Sequence, residues 1–80
     1  MFIEIITPVK KIYSGEVKLI QVPGTKGSFE ILKNHAPIIS TLEKGLVRII
    51  TVEDVEASYP INGGVVEVKD NHIMILAEAD

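Results

Sequence analysis

One glycine-rich stretch could in principle bind phosphate, the segment GTKGS from Gly24 to Ser28. A phosphate-binding P-loop needs Gly-Lys-Ser/Thr leading into a helix, whose first N–H groups then meet the phosphate. Here the order is Lys-Gly-Ser, and an apolar, strand-like segment follows. Because Pro23 and Gly24 have ordinary turn chemistry, the stretch predicts a hairpin loop and not a nucleotide site.

The remaining polar residues lack the spacing of a catalytic or metal-binding set. The two histidines, His35 and His72, lie far apart, with no Glu-x-x-His or cysteine spacing near either of them. Such histidines are more often solvated, or part of an interface, than bound to a metal. No serine sits in a nucleophile elbow, and the adjacent carboxylates Glu53 and Asp54 fit a solvated turn. We therefore expect a protein that is not an enzyme and that holds neither a metal nor a cofactor.

The composition excludes several classes of partner. With 80 residues the chain has room for a single domain, residues 1–80, and 46% hydrophobic with 24% charged residues is typical of a folded globular protein. The net charge is -3 and the eight basic residues are scattered, which is unlike a nucleic-acid-binding surface. The first residues lack the basic start of a secretion signal, and no apolar run approaches the ~18 residues of a membrane span. We expect no nucleic-acid partner and no direct insertion into a membrane.

Short apolar runs, separated by turn signals, are the elements that must position these residues. The runs recur at a spacing of about 8 to 12 residues, which indicates an all-β sandwich or barrel. In the second half of the chain Val66 and Val68 alternate with Glu67 and Lys69, as in antiparallel sheets with one wet face. The turn signals include Ser14-Gly15, Pro23-Gly24, Lys44-Gly45 and Asn62-Gly63-Gly64.

Three segments carry more specific structural predictions. Between Glu16 and Val22 the apolar residues change parity after Leu19, which predicts a β-bulge or burial on both faces. The glycines that follow Asn62 predict a turn or bulge with positive φ. The segment 41–44 could close one helical turn, with Gly45 as its stop.

The segment Asn34-His35-Ala36-Pro37 predicts the edge of a sheet. Pro37 cannot donate a ladder hydrogen bond, and the residue before a proline is driven to extended geometry. The strand that follows is therefore expected at an edge or at a bulge. Ile38 and Ile39 behind the proline fit equally well as core residues and as the lip of a protein-binding surface.

Seven short sequence words, which together span the chain, occur in the order found in a known family. They are Ile-Thr-Pro (6–8), Ile-Tyr-Ser-Gly (12–15), Val-Pro-Gly-Thr-Lys-Gly-Ser-Phe (22–29), His-Ala-Pro-Ile-Ile (35–39), Lys-Gly-Leu-Val-Arg-Ile (44–49), Asn-Gly-Gly-Val-Val-Glu-Val (62–68) and Ile-Leu-Ala-Glu-Ala (75–79). The chain thus resembles the N-terminal domain of the epsilon subunit of bacterial F-type ATP synthases. The resemblance implies an antiparallel β-sandwich of about ten short strands in a single domain.

The resemblance also implies a function and partners. It indicates a non-catalytic subunit of the central rotor of a proton-translocating F-type ATP synthase, linking the gamma subunit to the membrane rotor ring and coupling ion flow to ATP synthesis. The expected location is peripheral, at the cytoplasmic face of the bacterial inner membrane. The residues that match the family's gamma-facing side are Thr7, His35, Ala36, Pro37 and Ser40. Those that match its ring-facing end are Lys26, Gly27, Ser28, Phe29 and Glu30.

Departures from the family pattern concern the ring contact and the end of the chain. Many members carry a carboxylate where Ser28 stands, so we expect Glu30 to supply the acidic group. Most members continue into a helical hairpin, whereas this sequence stops at Asp80, from which we expect coupling without epsilon-mediated inhibition unless a natural hairpin is missing from it. The alternative function is a free-standing β-sandwich that binds a small molecule in an apolar pocket of about 300 Å³ or more.

Overall fold

The computed structural model describes residues 1–78, which form six strands and no helix. The strands are β1 (Phe2–Ile6), β2 (Lys11–Val22), β3 (Phe29–Leu32), β4 (Ile38–Thr51), β5 (Glu56–Lys69) and β6 (His72–Ala77). They lie in the order β1-β6-β5-β4-β2-β3, and a further β1–β2 pairing closes five of them into a barrel. The prediction of a small all-β domain is confirmed. The prediction of a purely antiparallel sheet is wrong for one pair, because β1 and β6 run parallel.

The three long strands each contribute to two layers of this closed sheet. The first layer contains β1, β6, the first half of β2, the first half of β4 and the second half of β5. The second layer contains β3 and the remaining halves of the long strands. Predicted breaks at Gly15, Gly45 and Gly63 lie inside these strands, which are 12, 14 and 14 residues long. The expected count of about ten short strands is therefore not confirmed.

Strand β2 contains the bulge that the parity change predicted. Val17 pairs with Thr51 and Leu19 with Ile50, so the register shifts across Lys18. Val17 is buried before the shift, and Ile20 and Val22 are buried after it. An extra residue in one strand moves the following side chains to the other face. The bulge lets one strand supply core residues to both layers.

β4 and β5 also pass from one layer to the other, as β2 does. Gly63 and Gly64 have φ values of 122° and 148°, which confirms the predicted positive φ, although they lie inside a strand and not in a turn. A Cβ on Gly64 would lie 2.2 Å from the carbonyl oxygen of Leu76. Leu42 pairs with Gly64, so the segment 41–44 is part of β4 and the predicted helical turn is wrong. Pairing with β5 overrides the weak local preference.

Aliphatic side chains fill the space between the layers. The buried core consists of Ile3, Ile5, Val17, Ile20, Val22, Ile31, Leu42, Val47, Ile49, Ile61, Val66, Val68, Ile73, Ile75 and Ala77. Among residues 1–78 no polar or charged side chain is buried with them. Isoleucine and valine suit this core because branched side chains pack well on a pleated surface. The closed barrel is thus a stable support for the residues on its outside.

Candidate partner-binding surfaces

The outer side of the first layer carries an apolar surface made by alternate residues of four strands. Strand register places Thr41, Val65, Leu76 and Ile6 in one row, and Ile39, Glu67, Met74 and Glu4 in the next. We call the apolar members of this surface the apolar face: Phe2, Ile6, Ile39, Val65, Met74 and Leu76. Ile39 is 74% exposed and Leu76 is 49% exposed. Ile75 and Ala77, the chain neighbours of Leu76, are buried in the core, because side chains alternate along a strand.

Three polar residues of this surface, Glu4, Lys11 and His72, contact one another. Glu4 accepts a hydrogen bond from His72 at 3.1 Å and lies 3.6 Å from the ammonium group of Lys11. The His72 ring also meets the ring of Phe2 edge to face, with centroids 5.6 Å apart. Exposed pairs of this kind contribute at most about 1 kcal/mol each to stability. They fix the orientation of these polar side chains without making the surface strongly charged.

The predicted gamma-facing segment around His35 is anchored at one end of the apolar face. Leu32 to His35 form a turn, closed by a hydrogen bond from the His35 N–H to the Leu32 carbonyl at 3.1 Å. Asn34 occupies the third position of this turn and has a φ of 66°. The amide of Asn71 then accepts from the Asn34 backbone N–H at 2.6 Å and donates to the Asn34 side chain at 3.0 Å. Asn71 belongs to the turn between β5 and β6, where it and Asp70 both have positive φ. This is the two-residue turn typical of tight hairpins.

The side chain of His35 is half-buried and has a defined orientation. Its Nδ1 donates to the carbonyl oxygen of Ala36 at 2.7 Å. In the neutral ring this leaves Nε2 as an acceptor directed away from that contact. Ala36 and Pro37 are exposed, and β4 begins directly after Pro37. Within residues 1–78 the segment Ile38–Ser40 pairs with β5 alone, which confirms the predicted edge.

Thr7 and Ser40 do not join His35 in one cluster. Thr7 follows β1 at the end where Ile6 pairs with Leu76, whereas Phe2 pairs with His72 at the other end. Those ends are four residues apart on β6, or ~13 Å of strand. The Thr7 hydroxyl also closes its own turn by accepting from the Lys10 N–H at 3.2 Å. Ser40 alternates with Ile39 and so points to the other side of β4. The apolar face lies between Thr7 and the His35 segment.

The predicted ring-facing residues also divide into two groups. Lys26, Gly27 and Ser28 are exposed in a loop closed by a hydrogen bond from the Gly27 N–H to the Gly24 carbonyl at 2.9 Å. Phe29 is half-buried and packs against the core, and Glu30 is exposed on β3 opposite Gln21. Only the three loop residues form a projecting end. Glu30 belongs to the outer side of the second layer.

The loop and the edge of β4 form one open groove. The loop from Gly24 to Phe29 and the residues Ile39 to Thr41 line a depression of about 560 Å³. The base of the loop is tied to β4 by a hydrogen bond from the Thr25 N–H to the Thr41 carbonyl at 3.1 Å, and their hydroxyls lie 2.9 Å apart. Ser40, predicted to face gamma, therefore shares a groove with residues predicted to face the ring.

Two contributions to these surfaces were missed by the sequence analysis. Asn71 was not selected, because its contact with Asn34 joins residues 37 positions apart in the sequence. Met74 and Leu76 were not selected either. A signal for them exists, because the run His-Ile-Met-Ile-Leu-Ala is apolar at both parities. Such a run indicates a strand covered on both sides, which predicts a partner for the outer side.

The part of the chain that the structure describes contains no helix of the length and apolarity that a membrane span requires. Nor do histidine, aspartate and glutamate residues within positions 1–78 gather in a group of three or more that could hold a metal ion.

Comparison with known proteins identifies the family. Residues 1–79 match the family described as ATP synthase, Delta/Epsilon chain, beta-sandwich domain. The chain is 41% identical over 76 residues to the ATP synthase epsilon chain of Chlorobium limicola, covering 95% of this chain and 86% of that one. It is 40% identical over 77 residues to the epsilon chain of Pelotomaculum thermopropionicum, covering 96% and 57%. It is 43% identical over 76 residues to that of Leptospira interrogans, covering 95% and 59%.

Solved structures of low sequence identity share the fold. A chain in the cryo-EM structure of the Euglena gracilis mitochondrial ATP synthase, OSCP/F1/c-ring, superposes with a TM-score of 0.86 at 21% identity, covering 94% of this chain and 48% of that one. A chain in the central stalk and c-ring structure of the Tetrahymena thermophila mitochondrial ATP synthase gives 0.82 at 22%, covering 99% and 63%. This chain thus spans about half to two thirds of those chains.

The sequence resemblance is confirmed by these matches, and the expectation that the chain is a subunit and not an enzyme agrees with them. Two independent kinds of similarity, in sequence and in fold, extend over nearly the whole chain. The chain belongs to the family of ATP synthase Delta/Epsilon chains, through its beta-sandwich domain.

Proposed function

We propose that this chain is a non-catalytic part of the central rotor of a proton-translocating F-type ATP synthase, peripheral to the cytoplasmic face of the bacterial inner membrane. In this role it links the gamma subunit to the membrane rotor ring and couples ion flow to ATP synthesis. The observation that carries the proposal is the apolar face, which extends between Thr7 and the His35–Pro37 segment on a closed barrel. The similarity to ATP synthase epsilon chains, and to a chain in a central stalk and c-ring structure, supports the same assembly.

The apolar face and its ends are the surface that we assign to the gamma subunit. A stable protein interface needs about 1,200 Å² or more of total buried area, with an apolar centre and a polar rim. Met74 and Leu76 lie on the central strand β6, while Lys11 lies at the margin on β2. His35 contributes an acceptor nitrogen at one end, which a donor on gamma can satisfy. This distribution fits the centre and rim of an interface.

The loop Lys26–Ser28 is the end that we assign to the rotor ring, with Glu30 beside it on β3. The ring would transmit torque through this loop to the barrel and from the barrel to gamma. Such a coupling requires that the barrel does not shear. The closed strand order and the close-packed core resist that deformation, because sliding two strands would break ladder hydrogen bonds and open the core.

The alternative of a small-molecule binding module receives no support from a specific feature. Within residues 1–78, fifteen aliphatic side chains occupy the space between the layers. The groove beside β4 is open and is lined by a polar loop as well as by Ile39. A site for a small apolar ligand would instead need a concave pocket that buries most of the ligand.

The test is association with the cognate gamma subunit, measured by size-exclusion chromatography with light scattering. We expect a one-to-one complex. Replacing Leu76 by Lys should weaken it at least about tenfold, because an unpaired ammonium group would be buried at the centre of the interface. Leu46 is 58% exposed but lies on the outer side of the second layer, so Leu46→Lys is the matched control and should bind normally.

Failure of the two folded proteins to associate would contradict the proposal. Normal binding by Leu76→Lys would instead show that gamma does not use the apolar face.

A further inference from the structure

The first half of β4 exposes an unpaired backbone edge. Ile38 pairs with Val68 and Ser40 with Val66, both on β5. On the opposite side, β2 pairs with β4 only from Arg48 onward. The loop that precedes β3 reaches β4 only further along, through a bridge between Gly24 and Leu42. Between Pro37 and that bridge no strand of residues 1–78 covers this side of β4.

The direction of the free backbone groups follows from the hydrogen bonds at the bridge. The Thr41 carbonyl accepts from Thr25 at 3.1 Å and the Glu43 N–H donates to Pro23 at 2.8 Å. Alternate residues of an antiparallel strand direct their N–H and C=O groups to the same side. The N–H and C=O of Ile39 and the N–H of Thr41 therefore point toward the open edge. Within positions 1–78 none of these three groups has a hydrogen-bond partner from another strand or loop.

This edge lacks the protection found on other edges of the same barrel. Natural proteins guard free edges with proline, charged residues or bulges. The free side of the first half of β5 carries Pro60, and β3 carries Glu30 and is followed by Lys33. The segment Ile-Ile-Ser-Thr from Ile38 to Thr41 contains no charge and no proline. Pro37 only marks where it begins.

We propose that an extended segment of the gamma subunit pairs with this edge as an additional strand, an inference that rests on the proposed function above. The backbone of Ile39 would exchange a donor and an acceptor with the segment, and the Thr41 N–H would provide a second donor. Pro37 at one end and the loop at Gly24 at the other limit the pairing to about four residues. Side chains on one face of the added segment would extend the apolar face beside Ile39. Side chains on its other face would enter the groove beside Ser40.

Continuity selects gamma as the occupant. Ile39 is both the central residue of the free edge and a member of the apolar face, and the His35 segment leads directly into it. A strand added here would enlarge the first layer on the side that we assign to gamma. Main-chain pairing of this kind provides affinity, and alternate side chains provide specificity.

Amide hydrogen exchange of the full chain, free and in complex with gamma, tests the pairing at residue level. In the free chain the amides of Ile39 and Thr41 should exchange quickly, whereas that of Ser40, which faces β5, should be protected. In the complex we expect protection of Ile39 and Thr41 to rise at least about tenfold. A complex in which both amides exchange as in the free chain would overturn the pairing and leave the proposed function intact. Absence of a complex would overturn both.

A pair of substitutions separates hydrogen bonding from simple burial. Ile39→Pro removes the edge-facing N–H and shortens the apolar side chain, and proline is tolerated in an edge strand when its nitrogen faces outward. Ile39→Val keeps the N–H and a similar apolar side chain. We expect about tenfold weaker gamma binding for the proline variant than for the valine variant. Equal affinities of the two variants for gamma would overturn the proposal, once circular dichroism has shown that both are folded. If the proline variant does not fold, the hydrogen-exchange measurement provides the test.

Discussion

The two tyrosines of the chain show how a single contact changes the chemistry of a residue. The rings of Tyr13 and Tyr59 stack with centroids 5.3 Å apart at the margin of the core. Burial raises the pKa of Tyr59 above its ordinary value of 10.0, and the neighbouring charge of Tyr13 raises that pKa further. Both causes favour the neutral phenol of the folded state.

This shift predicts the direction of a pH effect on stability. Because the pKa of Tyr59 is higher in the folded state, its contribution to the stability of the fold is fully present below pH 10.0. That contribution is lost as the pH rises through the folded-state pKa. Tyr13→Phe leaves Tyr59 as the single tyrosine. Absorbance titration of that variant should show a midpoint still above 10.0 but lower than for Tyr59 in the parent protein. A midpoint at or below 10.0 would show that burial does not control the group.

At the scale of elements, the glycines inside β5 allow one strand to serve two layers. A residue with a side chain at Gly64 would combine an unfavourable φ of 148° with a collision against the backbone of β6. The same strand then continues to Val66 and Val68 in the core. A break of the chain into two strands at this point would have removed the continuous ladder with β4.

We expect Gly64→Ala to be strongly destabilising. The positive φ alone costs about 1–3 kcal/mol in a residue other than glycine. The overlap with the Leu76 carbonyl adds to that cost, since backbone cannot move aside as a flexible side chain can. Gly27→Ala is the matched control, because Gly27 has a φ of 122° and open space around its Cβ position.

Chemical denaturation of both glycine variants gives the difference in unfolding free energy. Equal losses would mean that β6 shifts to accommodate the alanine, and that only the backbone conformation matters.

At the scale of the whole molecule, a single aliphatic core connects all the strands. Ile75 on β6 is fully buried between the layers, whereas Ile39 on β4 is 74% exposed. The barrel closes on itself through β1 and β2, so none of its five strands can leave without opening the common core. Cooperative unfolding in one transition is expected for such a small domain.

Two isoleucine substitutions test this picture. Ile75→Ala should lower the free energy of unfolding by about 2–5 kcal/mol, because it removes buried methyl groups and leaves a cavity. Ile39→Ala should change it by less than about 0.5 kcal/mol. Equilibrium denaturation followed by circular dichroism and by tyrosine fluorescence measures both. Non-coincident transitions from the two probes would show that the layers unfold separately.

The amino-acid sequence by itself determined the fold class, the family and several local features. Branched aliphatic runs separated by turn residues gave an all-β domain, because strand periodicity and turn chemistry are local properties. The parity change after Leu19 predicted the bulge, the glycines after Asn62 predicted positive φ, and Pro37 predicted a free edge. Each of these follows from one residue and its immediate neighbours.

Only the tertiary structure decided how these local features combine. Gly45 and Gly63 are turn signals in isolation, yet β4 and β5 continue through them because each strand completes the hydrogen bonds of the other. β1 and β6 come from opposite ends of the chain and pair in parallel. This pairing also sets the distance between Thr7 and the His35 segment. The apolar face and the unpaired edge at Ile39 depend on which strands are neighbours. Strand pairing is a non-local choice, set by the common core, and local sequence patterns do not contain it.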